Sequence, residues 1–391
     1  MSEWREVEIN EIIDMANTGL DAIKRAPIVE NDTGIKCMRI QDVSQNKSFE
    51  NWGFTDVEEK NYKKFQLKKN DIIIARTGAT VGVNRFIYSD LKSVFNNGLI
   101  RIRVDHITCL SKFLYYHFRT DNFYSFIESI SGGTSSQPNM QINVLLSYAI
   151  QLPPLPEQKA IAEVLSSLDD KIDLLHRQNK TLEQMAETLF RQWFVEEAGE
   201  DWEEGMLGDV AVNVRSSVKI SDIQEDMKYV GLEHIDRRNI TLNNYGFGGE
   251  VNSNKSAFET HDILFGKLRP YFHKVCFASF SGICSTDILV LRPKQPEYFF
   301  YCLFVFFQND VVEYANLGSG GTRMPRTNWS VLKQYPIAIP NVDAIVRFNE
   351  IVEPAIKKIT YNINQIRTLE NLRDTLLPKL MTGEVRIASN G

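Results

Sequence analysis

The sequence predicts an α+β protein in which two similar globular domains are separated by two long antiparallel helices forming a coiled coil. Two observations carry this prediction. The first is a helical pattern from Leu155 to Val195, which follows the proline run 153–156 and contains no Gly or Pro after Pro156. The second is a repeat: the chain beyond this stretch resembles the chain before it.

The helical stretch carries a heptad seam, in which apolar residues recur at alternating steps of three and four. Its members are Leu165, Leu168, Ile172, Leu175, Leu182, Ala186, Leu189 and Trp193. Asn179 is the one polar interruption at a seam position. A helix with such a seam needs a partner to bury it, and the repeat supplies one.

Three short segments reappear in the same order at nearly the same offset. DIIIAR at 71–76 returns as DILFGK at 262–267, 191 positions later. SGGT at 131–134 returns at 319–322, 188 later, and IQLP at 150–153 returns as IAIP at 337–340, 187 later. The shared order indicates a tandem duplication, which makes the two halves related by a pseudo-twofold internal repeat.

These patterns divide the chain into a first domain at 1–152, a central long helix at 153–198, a second domain at 199–340, and a C-terminal long helix with its tail at 341–391. In the first domain, residues 1–30 are expected to form an amphipathic lead-in. Residues 71–75, 98–104 and 148–152 have strand patterns, and 111–130 has a helical one.

The second long helix is predicted from Val342 to about Leu380, with Pro378 and Gly383 marking its end. A pseudo-twofold axis makes the two helices antiparallel, with the globular domains at opposite ends. The 187-residue shift then sets Asn179 opposite Asn362 and Leu175 opposite Ile366. A buried pair of asparagines would fix this register.

Composition points to a cytoplasmic protein. No apolar run is long enough for a bilayer, and the N-terminus lacks the basic and apolar parts of a signal peptide. The five cysteines form no CxxC pair. The net charge is −6, and residues 156–205 carry 5 basic against 13 acidic side chains. The acidity therefore belongs to the first long helix and its linker, and the domains retain room for basic faces.

Signatures of catalysis are missing from the sequence. It has no GxxxxGK[ST] loop, no GxGxxG following a strand and no HExxH, and its six histidines are scattered. We therefore expect a non-catalytic chain that holds no metal and no cofactor.

Binding features remain, and both copies have them at corresponding places. Arg76, Thr77 and Gly78 follow the first DI strand, and Lys267 and Arg269 follow the second. A basic residue at a strand end, beside a polar turn, can reach phosphates or a guanine edge.

The two SGGT loops are the second candidates for contact with DNA, because small residues permit close backbone approach while amides and arginines read base edges. In and after the first loop the candidates are Gly133, Thr134, Ser135, Gln137, Asn139 and Gln141. In and after the second they are Gly321, Thr322, Arg323, Arg326 and Asn328.

These motifs together resemble the specificity (S) subunit of type I restriction–modification systems. The stretch LPPLPEQKAIAEVLSSLDDKID is similar to the family's central conserved helix, and TLLPKLMTGEVRI is similar to its C-terminal conserved end. The second helix start, IAIPNVDAIVRF, lacks the double proline and the Glu-Gln pair.

The resemblance implies that each globular domain is a target recognition domain reading one half of a bipartite site in double-stranded DNA. It implies that the helix pair is a ruler for the spacer between the halves. The implied partners are two modification (methyltransferase) subunits and the restriction (translocase and endonuclease) subunits. Two other functions stay open from the residues alone, a non-catalytic protein-interaction scaffold and a stand-alone nuclease.

Overall fold

The computed structural model describes residues 4–131, 139–199, 202–320 and 324–387. The chain forms two compact units, one comprising Met1–Lys171 with Leu369–Gly391 and the other Ile172–Thr368. Both long helices are divided between the units. Each unit therefore contains a globular α+β domain and one half of the helix pair.

The globular part of the first unit contains ten short strands and five short helices within the described residues. The strands are β1 Arg5–Glu8, β2 Ile13–Thr18, β3 Ile28–Val29, β4 Lys36–Met38, β5 Gly53–Thr55, β6 Ile72–Ala75, β7 Asn84–Phe86, β8 Ser93–Phe95, β9 Leu99–Val104 and β10 Ala149–Leu152. The helices are α1 Ile40–Ser44, α2 Glu59–Phe65, α3 Ser111–His117, α4 Asp121–Ser131 and α5 Ile142–Leu146, followed by the long helix α6 Leu155–Arg191.

Two four-stranded sheets organise this domain, in the orders β2-β9-β6-β7 and β3-β5-β4-β8, and β1 pairs with β10. The central strand β6 is fully buried because its IIIA sequence places apolar side chains on both faces. The predicted strands near 71–75, 98–104 and 148–152 are thus present. The predicted helix at 111–130 is two helices, α3 and α4.

The described part of the amphipathic lead-in expected over residues 1–30 contains the strands β1, β2 and β3. β1 pairs antiparallel with β10, from Arg5 opposite Leu152 to Glu8 opposite Ala149. β2 pairs with β9. These partners lie about a hundred residues away along the chain, so local periodicity does not reveal the strand conformation.

The second unit repeats the plan. Its strands are β11 Glu203–Met206, β12 Ala211–Asn213, β13 Ser217–Val218, β14 Lys228–Val230, β15 Gly246–Phe247, β16 Lys255–Phe258, β17 Ile263–Gly266, β18 Val275–Phe277, β19 Gly282–Cys284, β20 Ile288–Pro293 and β21 Pro336–Ile339. Its helices are α7 Leu207–Val210, α8 Phe299–Phe306, α9 Asn309–Leu317 and α10 Trp329–Leu332, followed by the long helix α11 Val342–Thr382.

Strand pairing demonstrates the duplication. The order β12-β20-β17-β18 in the second unit matches β2-β9-β6-β7 in the first, and β11 pairs with β21 as β1 pairs with β10. Ile72 lies opposite Phe86 in the first sheet. Ile263 lies opposite Phe277 in the second. Both partners are shifted by 191 positions, so the central hairpin keeps its register and its loop length in the two copies.

Inside each unit the long helices pack on one another and on the domain. The first unit buries Ile161 and Leu165 of α6 in one core with Leu377 and Leu380 of α11. In the second unit Phe190 of α6 packs against Phe348 of α11, with ring centroids 6.1 Å apart. Asn179, earlier in α6, bonds to Asn362, later in α11. The helices therefore run antiparallel in this unit.

The buried stripe of α6 departs from the predicted heptad seam near its C-terminal end. Leu189 is only partly buried there, whereas Phe190 is 2% exposed. The chain then continues as a π-helix, Gln192–Glu196, in which Trp193 is partly buried and Phe194 is 7% exposed. A heptad seam assumes 3.5 residues per turn, whereas an α-helix has 3.6. After several turns, the buried face of the helix therefore lies at the residue that follows each seam position.

The second long helix runs slightly beyond its predicted end. It passes through Pro378 and ends at Thr382, and Gly383 follows with a φ of 76°. Glycine adopts this left-handed conformation without strain, and it terminates the helix where proline does not. In the part of the chain that the structure describes, no helix is both long enough and apolar enough to span a membrane.

Candidate nucleic-acid interface

In the first domain the loop that leaves β6 is closed by the segment that follows the SGGT loop. Thr77 forms an antiparallel bridge with Asn139. The Met140 amide donates to the Arg76 carbonyl at 2.8 Å. The Arg76 guanidinium donates to the Asn139 side-chain oxygen at 2.9 Å and to the Met140 carbonyl at 3.2 Å. Arginine and asparagine, predicted from separate motifs, thus form one hydrogen-bonded cluster, in which Arg76 is half-buried and Asn139 is exposed.

Two further predicted residues border this cluster. Gly78 has a φ of 82°, and a side chain at its Cα would meet no described atom within 4 Å. Gln141 precedes α5, is exposed, and makes no capping bond with its side chain. The edge of the first domain therefore presents an arginine and two amide side chains around an open glycine turn.

The second domain has the same closure with different side chains. Leu268 forms a bridge with Arg326. The Arg269 amide donates to the Pro325 carbonyl at 2.7 Å, and the Thr327 amide donates to the Lys267 carbonyl at 3.1 Å. Leu268 lies 191 positions after Thr77, and Arg326 lies 187 positions after Asn139. This bridge is therefore the counterpart of the bridge between Thr77 and Asn139.

Arg326 and Asn328 are engaged within the domain. The Arg326 guanidinium lies 3.2 Å from an Asp287 carboxylate oxygen, and Asp287 therefore partly neutralises it. The Asn328 side chain caps α10 by accepting from the Val331 amide. Asparagine is a preferred N-cap residue, so this position has a structural role whether or not DNA is bound.

Seven of the predicted contact residues, those in the two SGGT loops, lie outside the described residues. They are Gly133, Thr134, Ser135 and Gln137 in the first copy and Gly321, Thr322 and Arg323 in the second.

The aspartate that opens each repeated DI motif is a structural residue. Asp71 accepts from the Arg103 guanidinium at 2.5 and 3.1 Å. Asp262 accepts from that of Arg292 at 2.7 and 2.9 Å. Each aspartate also accepts from a backbone amide three residues before it. A bidentate arginine fixes the strand from which each of these loops leaves.

The most specific part of the first helix motif anchors the first unit. Gln158 is fully buried, accepts from the Leu110 amide at 2.8 Å, and donates to the carbonyls of Thr108 and Pro153. Its neighbour Glu157 accepts from the Trp4 indole at 3.1 Å. The Glu-Gln pair therefore ties the start of α6 to the domain, a role that the sequence pattern did not reveal.

A second anchor on α6 is Asp169. One of its oxygens accepts from Arg119 at 2.7 Å and from the Tyr116 hydroxyl at 2.9 Å, and the other accepts from Arg373 at 2.9 Å. Burial raises the pKa of Asp169, but the two guanidiniums and the hydroxyl outweigh it and leave the pKa below its ordinary value. Arg373 of α11 thus has an ionic partner on α6.

In the second unit, Asn362 is fully buried and donates to the Asn179 side-chain oxygen at 2.8 Å. Leu175 and Ile366, the second predicted pair, are 1% and 5% exposed. The register hypothesis required the two asparagines to lie within one helical turn, and their side chains are in direct contact.

Comparison with known proteins defines the class. The model of the type I restriction modification DNA specificity domain matches residues 1–184 and again residues 199–371. The two matches cover most of the chain and coincide with the two repeats. The chain belongs to the family of type I restriction–modification DNA specificity subunits.

Individual relatives carry the same description. The type I restriction enzyme MjaIX specificity subunit of Methanocaldococcus jannaschii is 29% identical over 309 residues, which cover 71% of this chain and 70% of the relative. The HindI specificity subunit of Haemophilus influenzae is 22% identical over an alignment of 475 residues, covering 98% and 100%. A crystal structure of the type I restriction–modification S subunit from M. genitalium shares the fold, with a TM-score of 0.63, 19% identity, and coverage of 97% of this chain and 96% of that one.

Proposed function

We propose that this chain is the DNA sequence-recognition subunit of a type I restriction–modification complex. Each globular domain reads one half of a bipartite site in double-stranded DNA. Family membership supports the assignment, and one structural observation carries it: both domains close the loop after their central strand with the segment after their SGGT motif. The two domains share one loop arrangement but have different side chains in it. This is expected of domains that bind half-sites of different sequence.

At residue level, the first domain contacts DNA through Arg76, Asn139 and Gln141, and its glycine turn admits the phosphate backbone at Gly78. Asparagine and glutamine can pair with the N6 and N7 edge of adenine through two hydrogen bonds. In the second domain the cations Lys267, Arg269 and Arg326 supply the contacts. Contact with DNA is proposed for the residues of the two SGGT loops on their sequence alone. The two domains therefore differ in hydrogen-bonding character.

The chain performs no chemistry in this proposal. Two modification subunits carry the adenine methyltransferase, and restriction subunits join them to form the complete complex. The long helices dock the modification subunits, and their length sets the number of base pairs between the half-sites. The acidic surface of α6 suits a protein partner and opposes DNA lying along it.

Methylome sequencing of cells with and without this chain tests the function. We expect one bipartite methylated motif that disappears when the chain is removed. Retention of every methylated motif after removal would refute the assignment to DNA recognition.

Single substitutions test whether the domains read independently. Arg76→Ala is expected to relax only one half of the motif, and Arg326→Ala only the other. Asn341→Ala is the comparison variant, because it removes the side-chain cap that accepts from the Ala344 amide at the start of α11, and it is expected to lower stability by about 1 kcal/mol without changing the motif. Relaxation of both halves by either arginine variant would contradict independent reading.

Salt dependence separates this proposal from the two alternatives. Phosphate contacts release counterions, so affinity for the cognate duplex should fall steeply as salt rises. A protein-interaction scaffold would bind no duplex at any salt concentration. A stand-alone nuclease would cleave DNA when the purified chain is given a divalent metal, and we expect no cleavage.

A further inference from the structure

The loops after β6 and β17 have equal length and lie between strands in the same register, so their residues can be compared one by one. Ala75 donates to the Val83 carbonyl in the first loop, and Gly266 donates to the Lys274 carbonyl in the second. Position 78 then corresponds to 269, and position 82 to 273, both by the offset of 191.

Both of these positions have left-handed backbone conformation. In the first domain they are Gly78 and Gly82, with φ of 82° and 90°. In the second they are Arg269 and His273, each with a φ of 50°. Glycine adopts this region freely, whereas a residue with a Cβ is strained in it. The second domain therefore keeps two non-glycine residues where the fold favours glycine.

The strain at His273 has a structural explanation. Its ring packs edge-on against Phe307, with centroids 4.8 Å apart, and the residue is 9% exposed. Burial and the nearby Arg238 lower the pKa of His273 to about 4, so the ring is neutral at physiological pH. The imidazole thus fills a place in the core that glycine would leave empty.

No such explanation exists for Arg269 within the described residues. Its guanidinium makes no ion pair or hydrogen bond with any of them. Its Nε is buried without a partner among them, as is Nε2 of His273, but Arg269 has no ring packing comparable to that of His273 on Phe307, and its guanidinium carbon lies 5.9 Å from the Phe272 ring centroid. A strained backbone and an unpaired donor are both unfavourable in the isolated chain. Such features persist at functional sites, where a ligand completes the contacts.

The surroundings of Arg269 resemble a nucleic-acid contact. Arg269 begins a short turn, Pro270–Phe272, whose tip is Tyr271, 52% exposed. Arg237 stacks on the Phe272 ring with its guanidinium carbon 3.8 Å from the centroid. Arg237 is exposed and Arg269 is half-buried. Cations beside an exposed aromatic side chain bind nucleic acid through charge and base contact.

We propose that Arg269 is a specificity-determining residue of the second domain and reads a guanine in the half-site that this domain contacts. Arg269 and its neighbours Arg237 and Lys267 present hydrogen-bond donors only. The major-groove edge of guanine presents two acceptors, O6 and N7, which arginine contacts with both terminal nitrogens. This inference rests on the proposed function and adds the base that one domain reads and the residue that reads it.

Replacing Arg269 by glycine tests the side chain without disturbing the fold, because the first domain has a glycine, Gly78, at the corresponding position. We expect Arg269→Gly to assemble with its methyltransferase subunits and to retain its melting temperature. Anisotropy titrations measure the affinity for a duplex with the methylated motif and for duplexes with single base-pair changes in it. The preference of the variant for one G·C pair over the other base pairs should be roughly ten- to a hundred-fold lower than that of the wild type. The other half of the motif should be read as before.

His273→Gly is the matched control, because it relaxes the other left-handed position of the same turn. It should lose the packing on Phe307 and melt at a lower temperature, while its preference for the G·C pair stays unchanged. If Arg269→Gly retains full discrimination, the proposal is wrong. If it instead weakens binding to all duplexes equally and lowers the salt dependence, Arg269 contacts a phosphate, which also overturns guanine reading. Failure of the wild-type complex to prefer any bipartite motif would refute the proposed function itself.

Discussion

The two halves of the helix pair are built on one plan but held together by different chemistry. In the first unit the anchors of α6 are polar: Gln158 is buried among backbone groups, and Asp169 binds Arg119 and Arg373. In the second unit the corresponding anchors are aromatic. Phe348 of α11 lies 4.9 Å from Phe194 and 6.2 Å from Phe304, measured between ring centroids.

This difference explains why the two helix starts look unrelated in sequence. In the second copy, 187 positions later, Ala344 and Ile345 take the places of Glu157 and Gln158, and Ile345 is fully buried. Strand register and loop closure are nevertheless the same in both copies. The duplication has kept the backbone geometry of the loops after β6 and β17, whereas the side chains that anchor the helix starts have diverged.

The aromatic anchor should give the largest effect on stability. Phe348→Ala removes a fully buried ring from the second unit, and we expect it to lower the free energy of unfolding by about 3–5 kcal/mol. Urea denaturation followed by tryptophan fluorescence measures this, because Trp193 lies 6.2 Å from the Phe348 ring. Ile351→Ala, on the same helix but 47% exposed, should change stability by less than about 1 kcal/mol. Equal effects would mean that the aromatic cluster does not anchor the helix.

The polar anchor should give a smaller effect that depends on pH. Asp169→Asn leaves two arginines without their counter-charge, and we expect a loss of about 2–3 kcal/mol, because 18% of the Asp169 side chain remains exposed to solvent. The exposed neighbour Asp170→Asn is the control.

The sign of the pH dependence follows from the lowered pKa of Asp169. As pH falls, the unfolded state takes up this proton before the folded state does. The contribution of Asp169 is therefore present above about pH 4 and is lost below it, as pH passes through the folded-state pKa. The difference between wild type and Asp169→Asn should shrink in acid. A difference that stays constant down to pH 2 would contradict the ionic anchor.

The asparagine pair tests the register between these two anchors. Asn179→Leu removes the nearer of the two acceptors of the fully buried Asn362 amide and leaves only the longer bond to Gln178, at 3.4 Å. We expect a loss of about 1–3 kcal/mol in urea denaturation. Replacing both asparagines by leucine should recover that loss, since no buried polar group is left unpaired. If the double variant is less stable than the single one, the two residues do not act as a pair.

The smallest effect is expected at Glu183 of α6, which accepts from the Ile240 amide at 2.9 Å. Burial raises the pKa of Glu183 to about 7. Because the folded-state pKa is raised, the folded state holds a proton that the unfolded state releases, and stability falls as pH rises from about 4.5 to 7. Glu183→Gln keeps an acceptor for Ile240 and should be modestly more stable than wild type at pH 8. At pH 5 the two proteins should unfold alike, and a gain of equal size at both pH values would exclude titration of Glu183.

Periodicity and repetition in the sequence predicted the features that depend on local pattern. The two long helices, the duplicated domains and the strand after each DI motif follow from apolar spacing and from the constant offset. The asparagine register followed because a pseudo-twofold axis converts a sequence offset into a spatial pairing.

Features that depend on contacts between distant residues were not predicted. The pairing of β1 with β10, the three partners of Asp169 and the bonds of Gln158 to Thr108 and Leu110 join segments about 50 to 200 residues apart. Equally, the left-handed backbone at Arg269 has no signal in a single sequence, because arginine itself gives no indication of positive φ. It becomes visible only when Gly78 is recognised as its counterpart.

The central claim is that the helix pair separates two independent readers, and insertion of one heptad into each helix tests it most directly. Insertions after Leu175 and after Gln365 fall at matching points of the Asn179–Asn362 register and keep both seams. Seven residues lengthen a helix by about 10 Å, which is about three base pairs of duplex. Methylome sequencing should show both half-sites unchanged and the spacer longer by about three base pairs. Methylation of the original motif with its original spacer would contradict the claim.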